Sequence, residues 1–302
     1  MTVLLPALNA EGTIATAVAS TLRGMPQDAQ LYVLDDGSTD ATADKAREAG
    51  TRRGVVDKRL TVVSRPPSGS LANALTSMLP EVDSELIARM DADDISLPWR
   101  FRVSLPALDR GIDAVFTQVT RMNGPKLRPE LPLGIGPEAF PVHLLLTNPV
   151  THPSMIARRD AIEVAGGFRD VPAEDYDLWI RMATHDARLR RLPYNSLVCR
   201  AHPQQVTATA GWHQRSWTNP RQAEAFADLS EKLTGQRLRR IVAIAQLGLA
   251  EKETALRHFA DTVTPVIEAL PRRQQLLLRR RLRERLRWAR TTRTTQRKDP
   301  NS

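Results

Sequence analysis

The chain has 302 residues, 41% hydrophobic and 25% charged, which are ordinary proportions for a soluble globular protein. Its single cysteine, Cys199, excludes an internal disulfide framework and a cysteine-based zinc site, and we expect it to be a small buried residue. The net charge of +9 is concentrated, because residues 271–302 contain twelve basic and two acidic side chains whereas residues 1–270 sum to −1.

The first half of the chain alternates short apolar runs with helical patterns. The apolar runs predict strands at 2–8, 31–34, 60–63 and 85–90, and the spacing between them predicts helices at 13–22, at 40–49 and at 70–78. This alternation predicts βαβ units and a mostly parallel sheet, in which ligands bind at the carboxyl ends of the strands.

The second half is less regular and ends in helices. We predict a strand at 113–119, a Pro- and Gly-rich connection at 124–137, a helix at 174–183, and helices from 221 to 290 that break at Thr234-Gly235, Pro265 and Pro271. The predicted organisation is an α/β domain over 1–215, a helical extension over 216–290 and a disordered basic tail over 291–302.

Asp91-Ala92-Asp93-Asp94 directly follows the predicted strand that ends at Met90. Carboxylates spaced by one residue at a strand end supply hard oxygen ligands for Mg²⁺ or Mn²⁺, and such an ion can hold a diphosphate. An isolated motif of this kind is more often a solvated turn. Here the preceding strand, and a predicted helix start at 95–98, favour the metal site.

A second acidic pair, Asp35-Asp36, ends the strand at 31–34. A carboxylate in this place can accept a hydrogen bond from a nucleobase N–H or a ribose hydroxyl. Turn chemistry explains Asp36-Gly37-Ser38 equally well, and we assign Asp40 mainly to helix capping.

The third cluster is Glu174-Asp175, at the start of a predicted helix on which Asp175 shares one face with Leu178 and Trp179. A carboxylate beside a bulky apolar face is partly desolvated, and its pKa rises toward the range of a general base. Trp179 itself is predicted to pack in the core.

The order and spacing of these clusters resemble the family-two glycosyltransferases, which have the GT-A fold. The resemblance covers residues 2–207, about two thirds of the chain. It runs through Leu4-Leu-Pro-Ala-Leu-Asn9-Ala-Glu11, Val33-Leu-Asp-Asp-Gly-Ser-Thr-Asp40, Gly69-Ser-Leu-Ala-Asn73, Ile87-Ala-Arg-Met-Asp-Ala-Asp-Asp-Ile-Ser-Leu-Pro98, His152-Pro-Ser-Met155, Gly166-Gly-Phe168, Glu174-Asp-Tyr-Asp-Leu-Trp179 and Arg200-Ala-His-Pro-Gln-Gln-Val-Thr207.

The resemblance implies a role for each motif. Asp36 would contact the donor base, Asp93 would ligate the metal, and Asp91 would hold the ribose or a metal-bound water. Asp175 would be the base that deprotonates the acceptor, with Glu174 in support. The predicted donor-binding set is Pro6, Asn9, Glu11, Asp35, Asp36, Asn73, Asp91 and His202, and the predicted metal ligands are Asp93, Asp91 and His202. His152 would border the acceptor or have a structural role.

The implied activity is the Mn²⁺- or Mg²⁺-dependent transfer of a sugar, with inversion, from a nucleotide-sugar donor to a glycan or lipid-linked acceptor. Bacterial cell-surface polysaccharide or glycolipid synthesis would be its setting. A nucleotidyltransferase is an alternative, but Pro6 to Gly12 is not the Gly-rich phosphate loop that such enzymes usually carry. A second alternative is a catalytically weak scaffold that acts through its basic tail.

In that tail, Leu278, Leu282, Leu286 and Ala289 form one helical stripe flanked by arginines. The stripe is compatible with an amphipathic helix that lies on an anionic membrane through 271–290, or with a helix docked on the body. We do not expect nucleic acid as a partner, because no aromatic residues alternate with the basic ones. The N-terminus lacks a secretory pattern, so we predict a cytoplasmic protein, peripheral at the inner face of the membrane.

Overall fold

The computed structural model describes residues 1–201 and 211–292. Its strands are β1 (Thr2–Ala7), β2 (Gln30–Asp36), β3 (Thr51–Arg52), β4 (Val55–Val56), β5 (Leu60–Arg65), β6 (Leu86–Arg89), β7 (Ile95–Ser96), β8 (Ala114–Asn123), β9 (Lys126–Pro129), β10 (Ile156–Arg158) and β11 (Leu189–Arg200). The main sheet has the order β5-β2-β1-β6-β10-β8-β11-β7, with β9 added to β8, and β3 and β4 form a separate hairpin.

The helices are α1 (Ile14–Gly24), α2 (Thr42–Ala49), α3 (Leu71–Met78), α4 (Arg100–Leu108), α5 (Phe140–Leu146), α6 (Arg159–Val164), α7 (Glu174–Thr184), α8 (Trp212–Thr218), α9 (Pro220–Thr234), α10 (Ile241–Ile244), α11 (Leu249–Glu268) and α12 (Arg272–Thr291). They cover both faces of the sheet, which confirms the predicted α/β class and the C-terminal helical extension.

The strands β5, β2, β1 and β6 run parallel to one another. Every residue of β1 is buried, as expected for a central strand that is covered on both faces. Because parallel strands end at the same edge of a sheet, the loops after β1, β2 and β6 meet there. This edge holds two of the acidic clusters.

The C-terminal helix α12 packs on the body rather than standing apart from it. Its stripe of Leu278, Leu282, Leu286 and Ala289 is buried and belongs to the same hydrophobic cluster as Trp179. The docked arrangement is therefore the observed one, and the leucine stripe is not available for insertion into a membrane. Residue 215, our predicted domain boundary, lies inside α8, and the boundary stays a prediction.

Two local predictions were wrong. The predicted break at Pro265 does not occur, because α11 continues to Glu268 with Val263 and Ile267 fully buried on its inner face. Residues 95–98 do not start a helix, since Ile95–Ser96 is the short strand β7 that pairs with β11. In both places burial against the rest of the fold overrides the local sequence signal.

Candidate active site

Three carboxylates converge after β6. Oxygens of Asp91, Asp93 and Asp94 lie within 4.8 Å of one another. We call these residues the acidic triad. Asp94 is only 3% exposed, and burial, followed by the charges of Asp91 and Asp93, raises its pKa to about 8. Three carboxyl groups with hard oxygen donors converge at one point, and such a site suits a divalent cation, which favours the ionised form of each ligand.

Two buried arginines hold the end of β6 in place. Arg89 is 2% exposed, and its guanidinium donates to Asp91 Oδ1 at 2.6 Å. Arg100 is fully buried, and its Nη2 donates to the carbonyl of Arg89 at 2.6 Å and to that of Pro153 at 2.8 Å. Arg100 thereby ties the strand that leads into the triad to the 3₁₀ turn at His152–Ser154.

Asp175 lies in the first turn of α7, which begins after Ala173 in a left-handed conformation. The amide Nδ2 of Asn148 donates to Asp175 Oδ2 at 2.8 Å. Burial, and next the charge of Glu174, raise the pKa of Asp175 to about 6. The raised pKa agrees with the prediction from the apolar face of this helix, and it leaves a carboxylate that can accept a proton near neutral pH.

Glu174, the residue before Asp175, lies beside His152. His152 Nδ1 is 3.4 Å from Glu174 Oε1, and the charges of Asp91 and Asp175 both act on this imidazole. Burial, with a contribution from Arg89, lowers the pKa of His152 to about 4, so the ring is neutral. The first cause of the raised pKa of Glu174 is also burial. The His152–Glu174 contact, together with the bonds of Arg100 to the carbonyls of Arg89 and Pro153, thus connects the start of α7 to the end of β6.

The ring of His152 packs edge-on against Trp179, with 5.6 Å between the centroids. Trp179 is fully buried and makes a second edge contact with Phe116. Trp179 is therefore a core residue, as predicted, and the ring of His152 packs against it.

The loop after β1 is bonded to the loop after β2. Asn9 Oδ1 accepts from the backbone N–H of Thr39 at 2.9 Å, and Glu11 Oε2 accepts from that of Ala41 at 3.2 Å. Asp40 returns the contact by accepting from the N–H of Glu11 at 3.1 Å. Asn9 and Glu11 thus fix the rim of this edge, while Pro6 is buried within β1 opposite Leu34.

Asp40 also accepts from the N–H of Thr42, at the start of α2, at 3.0 Å. It therefore satisfies a donor in the first turn of this helix from the residue before the N-cap, because the N-cap position itself is Ala41, which makes no side-chain cap bond.

Asp35 and Asp36 are both buried at the end of β2. Asp35 Oδ1 accepts from the N–H of Ser38 at 3.1 Å. Asp36 accepts from the N–H of Ser68 at 2.9 Å and from its hydroxyl at 2.7 Å, and Asn73 Nδ2 donates to the carbonyl of Ser68 at 3.0 Å. Asp36 and Asn73 are thus brought together through Ser68, which the sequence analysis missed.

The turn beside them requires a glycine. Gly37 has φ +80°, and a Cβ there would lie 2.5 Å from the ring of Pro67. His202, the remaining predicted site residue, lies outside the described residues.

The family model for glycosyl transferase family 2 matches residues 2–165. The chain belongs to this family. The matched segment contains the acidic triad, both loops of the rim, Ser68, Asn148 and His152, whereas Glu174 and Asp175 lie beyond it.

Curated proteins with similar sequences include EpsE of Bacillus subtilis. It is 25% identical to this chain over 192 residues, which cover 60% of this chain and 66% of EpsE. The amylovoran biosynthesis glycosyltransferase AmsE of Erwinia amylovora is 27% identical over 161 residues, covering 51% of this chain and 59% of AmsE. WfgD of Escherichia coli, a UDP-Glc:alpha-D-GlcNAc-diphosphoundecaprenol beta-1,3-glucosyltransferase, is 23% identical over 181 residues, 60% of this chain and 68% of WfgD. The chain spans about two thirds or less of EpsE and AmsE.

Solved structures show the same fold at low identity. TarS 1–349 of Staphylococcus aureus with UDP-GlcNAc has a TM-score of 0.60 and 15% identity, covering 96% of this chain and 90% of that one. The mannosyltransferase PcManGT of Pyrobaculum calidifontis, with GDP-Man and Mn²⁺, has a TM-score of 0.53 and 20% identity, covering 95% and 85%. These likenesses confirm the GT-A fold for this family-two member.

Sequence reasoning named Asp91 and Asp93 but left out Asp94, Arg89, Arg100 and Asn148. Asp94 and Arg89 each had a signal in the sequence. Asp94 is a third acid directly after Asp93, and Arg89 stands within the apolar run of β6. Arg100 and Asn148 lack such a signal, because their partners lie 53 and 27 residues away.

Proposed function

We propose that this chain is an inverting, metal-dependent glycosyltransferase that moves a sugar, of the hexosyl type, from a nucleoside diphosphate donor to a hydroxyl acceptor. Its setting would be the synthesis of a cell-surface polysaccharide or glycolipid. One observation carries the proposal: the acidic triad forms after β6, and contacts through Arg100 and His152 connect the end of this strand to the start of α7, where Asp175 lies.

The donor class is supported by the names of the similar proteins. WfgD is named for UDP-Glc, the TarS structure holds UDP-GlcNAc and the PcManGT structure holds GDP-Man, and all three are nucleoside diphosphate sugars. We propose that Asp36 contacts the base. Each of its carboxylate oxygens has a second lone pair beyond the one that Ser68 uses. Pro6, Asn9, Glu11, Asp35 and Asn73 would form the walls of the nucleotide pocket.

The acidic triad fits a divalent cation such as Mn²⁺ or Mg²⁺, because the hard oxygen donors of three carboxyl groups converge there. We propose Asp93 as a ligand, with Asp91 as a second and His202 as a further candidate. When bound, the ion would supply positive charge to the diphosphate. Arg89, with its 2.6 Å bond to Asp91, orients that carboxylate.

Asp175 is proposed as the general base. It would take the proton of the acceptor hydroxyl while that oxygen forms a bond to the anomeric carbon and the bond from this carbon to the diphosphate breaks. A single displacement of this kind inverts the configuration of the carbon. Asn148 fixes the orientation of the carboxylate, and Glu174 keeps its pKa raised.

The acceptor is proposed to be a lipid-linked saccharide. The support is the name of WfgD, whose acceptor is a sugar on diphosphoundecaprenol. The protein would then work in the cytoplasm at the inner face of the membrane. Among the described residues, the helices are all too short or too polar to cross a bilayer.

The test of the donor site is the thermal stability of the protein with UDP, dTDP, GDP or CDP, each with and without Mn²⁺. A nucleotide at about 100 times its Kd should stabilise the fold by about 2.7 kcal/mol. We expect one nucleotide to act in the presence of Mn²⁺, and we expect Asp93→Ala to abolish the effect. Asp83→Ala, which changes an exposed carboxylate near β6, is the matched control and should leave the shift intact.

Absence of a shift with every nucleotide would contradict the proposal and favour a scaffold. Identification of the released product then separates two enzyme classes. A nucleoside diphosphate is expected, whereas pyrophosphate would indicate a nucleotidyltransferase.

A further inference from the structure

The outer side of α12 is a continuous basic surface. Arg273, Leu276, Arg280, Arg283 and Arg287 follow one another at spacings of three and four, so they lie on one side of the helix, opposite the buried leucines. We call this side the arginine face. All five side chains are exposed, and the face runs about 20 Å along the helix.

Much of this charge is not neutralised by the protein. Glu284 pairs with Arg280 and Arg281, Glu268 with Arg279, and Glu253 with Arg290. Among the described residues of α12, four exposed arginines have no carboxylate at ion-pair distance from their side chains: Arg272, Arg273, Arg283 and Arg287. Since the rest of the chain is nearly neutral, the excess charge of the molecule is directed outward here.

The face has the features of a surface that meets an anionic bilayer. Leu276, near the N-terminal end of the face, is 69% exposed, and an apolar side chain there can enter the headgroup layer. Trp288, the aromatic residue of this helix, is already engaged, 5.7 Å from the ring of Trp217 and 4.5 Å from the Arg285 guanidinium. It therefore does not offer a free ring for stacking on bases, as nucleic-acid surfaces commonly do.

The same helix is linked to the proposed base. Gln274 Nε2 donates to the carbonyl of Gly134 at 3.4 Å, and Gln274 Oε1 is 3.4 Å from His143 Nε2 on α5. The residues after α5 include Asn148, which holds Asp175. A surface bound by α12 would therefore be joined, through α5, to the part of the site that receives the acceptor.

We propose that the arginine face binds the protein to anionic phospholipid, with α12 still docked by its leucine stripe. The proposal rests on the proposed function, which supplies the lipid-linked acceptor. The contact is electrostatic, so it is reversed by salt, unlike the insertion of an apolar helix face. Each arginine near an anionic bilayer should raise partitioning roughly five-fold.

The test is flotation of the full chain with vesicles of phosphatidylcholine alone or with added phosphatidylglycerol. The variant carries Arg272→Gln, Arg273→Gln, Arg283→Gln and Arg287→Gln, which leave the ion pairs of α12 intact. The control carries Arg23→Gln, Arg52→Gln, Arg102→Gln and Arg110→Gln, which remove the same charge from exposed positions elsewhere. We expect the native chain and the control to bind anionic vesicles at low salt, and the variant to lose at least about 100-fold in partitioning.

Three outcomes would overturn the proposal: no binding by the native chain, equal loss in the control, or binding that persists in high salt. Tighter binding to DNA than to vesicles, lost in the same variant, would replace the lipid with nucleic acid. The nucleotide-dependent thermal shift is measured on the same preparations. If the thermal shift is present but the native chain does not float with anionic vesicles, only the assignment of the arginine face is wrong. If the thermal shift itself is absent, the proposed transferase activity is contradicted.

Discussion

Asp175 owes its chemistry to its surroundings more than to its residue type. Burial and the neighbouring charge of Glu174 raise its pKa to about 6, and Asn148 donates to one of its oxygens. An aspartate with its ordinary pKa would be a weaker base at neutral pH. Its position in the first turn of α7 therefore determines its suitability for proton transfer.

The proposed base gives turnover a predictable pH dependence. Because Asp175 must be ionised to accept a proton, turnover at saturating substrate should fall as the pH drops through about 6. Asp175→Asn should lose about 10²- to 10⁴-fold in kcat. Turnover measured between pH 5 and 8, with the exposed Asp109→Asn as control, checks both statements.

A second variant, Glu174→Gln, tests whether the charge of Glu174 raises the pKa of Asp175. Removing a negative charge favours ionisation of Asp175, so its pKa, and with it the acidic limb, should move to lower pH. If the acidic limb of the pH profile stays at the same pH in Asp175→Asn and in Glu174→Gln, the limb belongs to another group.

Arg100 is a positioning residue for the triad. Its Nη2 bonds the carbonyls of Arg89 and Pro153, and burial lowers its pKa only to about 10, so it remains charged. Arg100→Met should lower the free energy of unfolding by about 1–3 kcal/mol, because two buried carbonyls lose their donor. It should also weaken Mn²⁺-dependent nucleotide binding.

Urea unfolding and the nucleotide thermal shift measure these two effects. Arg102→Met is the matched control, since it changes an exposed arginine on the same helix. An equal loss of stability in both variants would refute the role of Arg100.

Among individual residues, the sequence predicted the acidic side chains of the site but not the arginine and amide side chains that position them. Asp91, Asp93 and Asp175 occur in motifs with recognisable order, and the structure places Asp91 and Asp93 in one cluster. A buried arginine such as Arg100 looks like any surface arginine in a sequence, because its carbonyl partners are defined only by the fold. The roles of the predicted residues remain proposals.

Among the secondary-structure elements, the central parallel strands were the most predictable. The apolar runs of β1, β2 and β6 are mostly buried, whereas β5 is a partly exposed edge strand, and the predicted strands at 2–8, 31–34, 60–63 and 85–90 all exist. The failures at Pro265 and at residues 95–98 share a cause. A helix through Pro265 is kept by the burial of Ile267, and the strand at Ile95 is kept by its pairing with Val198, neither of which a local pattern contains.

The two faces of α12 should respond differently to the same substitution. Leu278 is fully buried and Leu276 is 69% exposed, two residues apart. Leu278→Ala should destabilise the fold by about 2–5 kcal/mol, through lost burial and a cavity. Leu276→Ala is the control and should stay within about 0.5 kcal/mol. Denaturant unfolding gives both values, and equal values would mean that α12 is not docked as described.

For the molecule as a whole, the helical extension shares its hydrophobic core with the sheet. Phe116 of β8, Trp179 of α7, Phe226 of α9 and Leu278 of α12 belong to one buried cluster. The sequence pattern predicted helices from 221 onward but not that they complete this core. The basic composition of the last residues predicted a charged surface, and the docking of α12 on the body determines which of its side chains face outward.

The separation of charge gives the molecule an electrical polarity. Acidic side chains gather at the carboxyl edge of the sheet, whereas α12 carries nine arginines and one glutamate. The isoelectric point of about 10.4 is thus largely a property of one helix and the residues after it. In a field from any anionic surface the protein experiences a torque as well as an attraction, so it turns before contact and arrives with this helix leading.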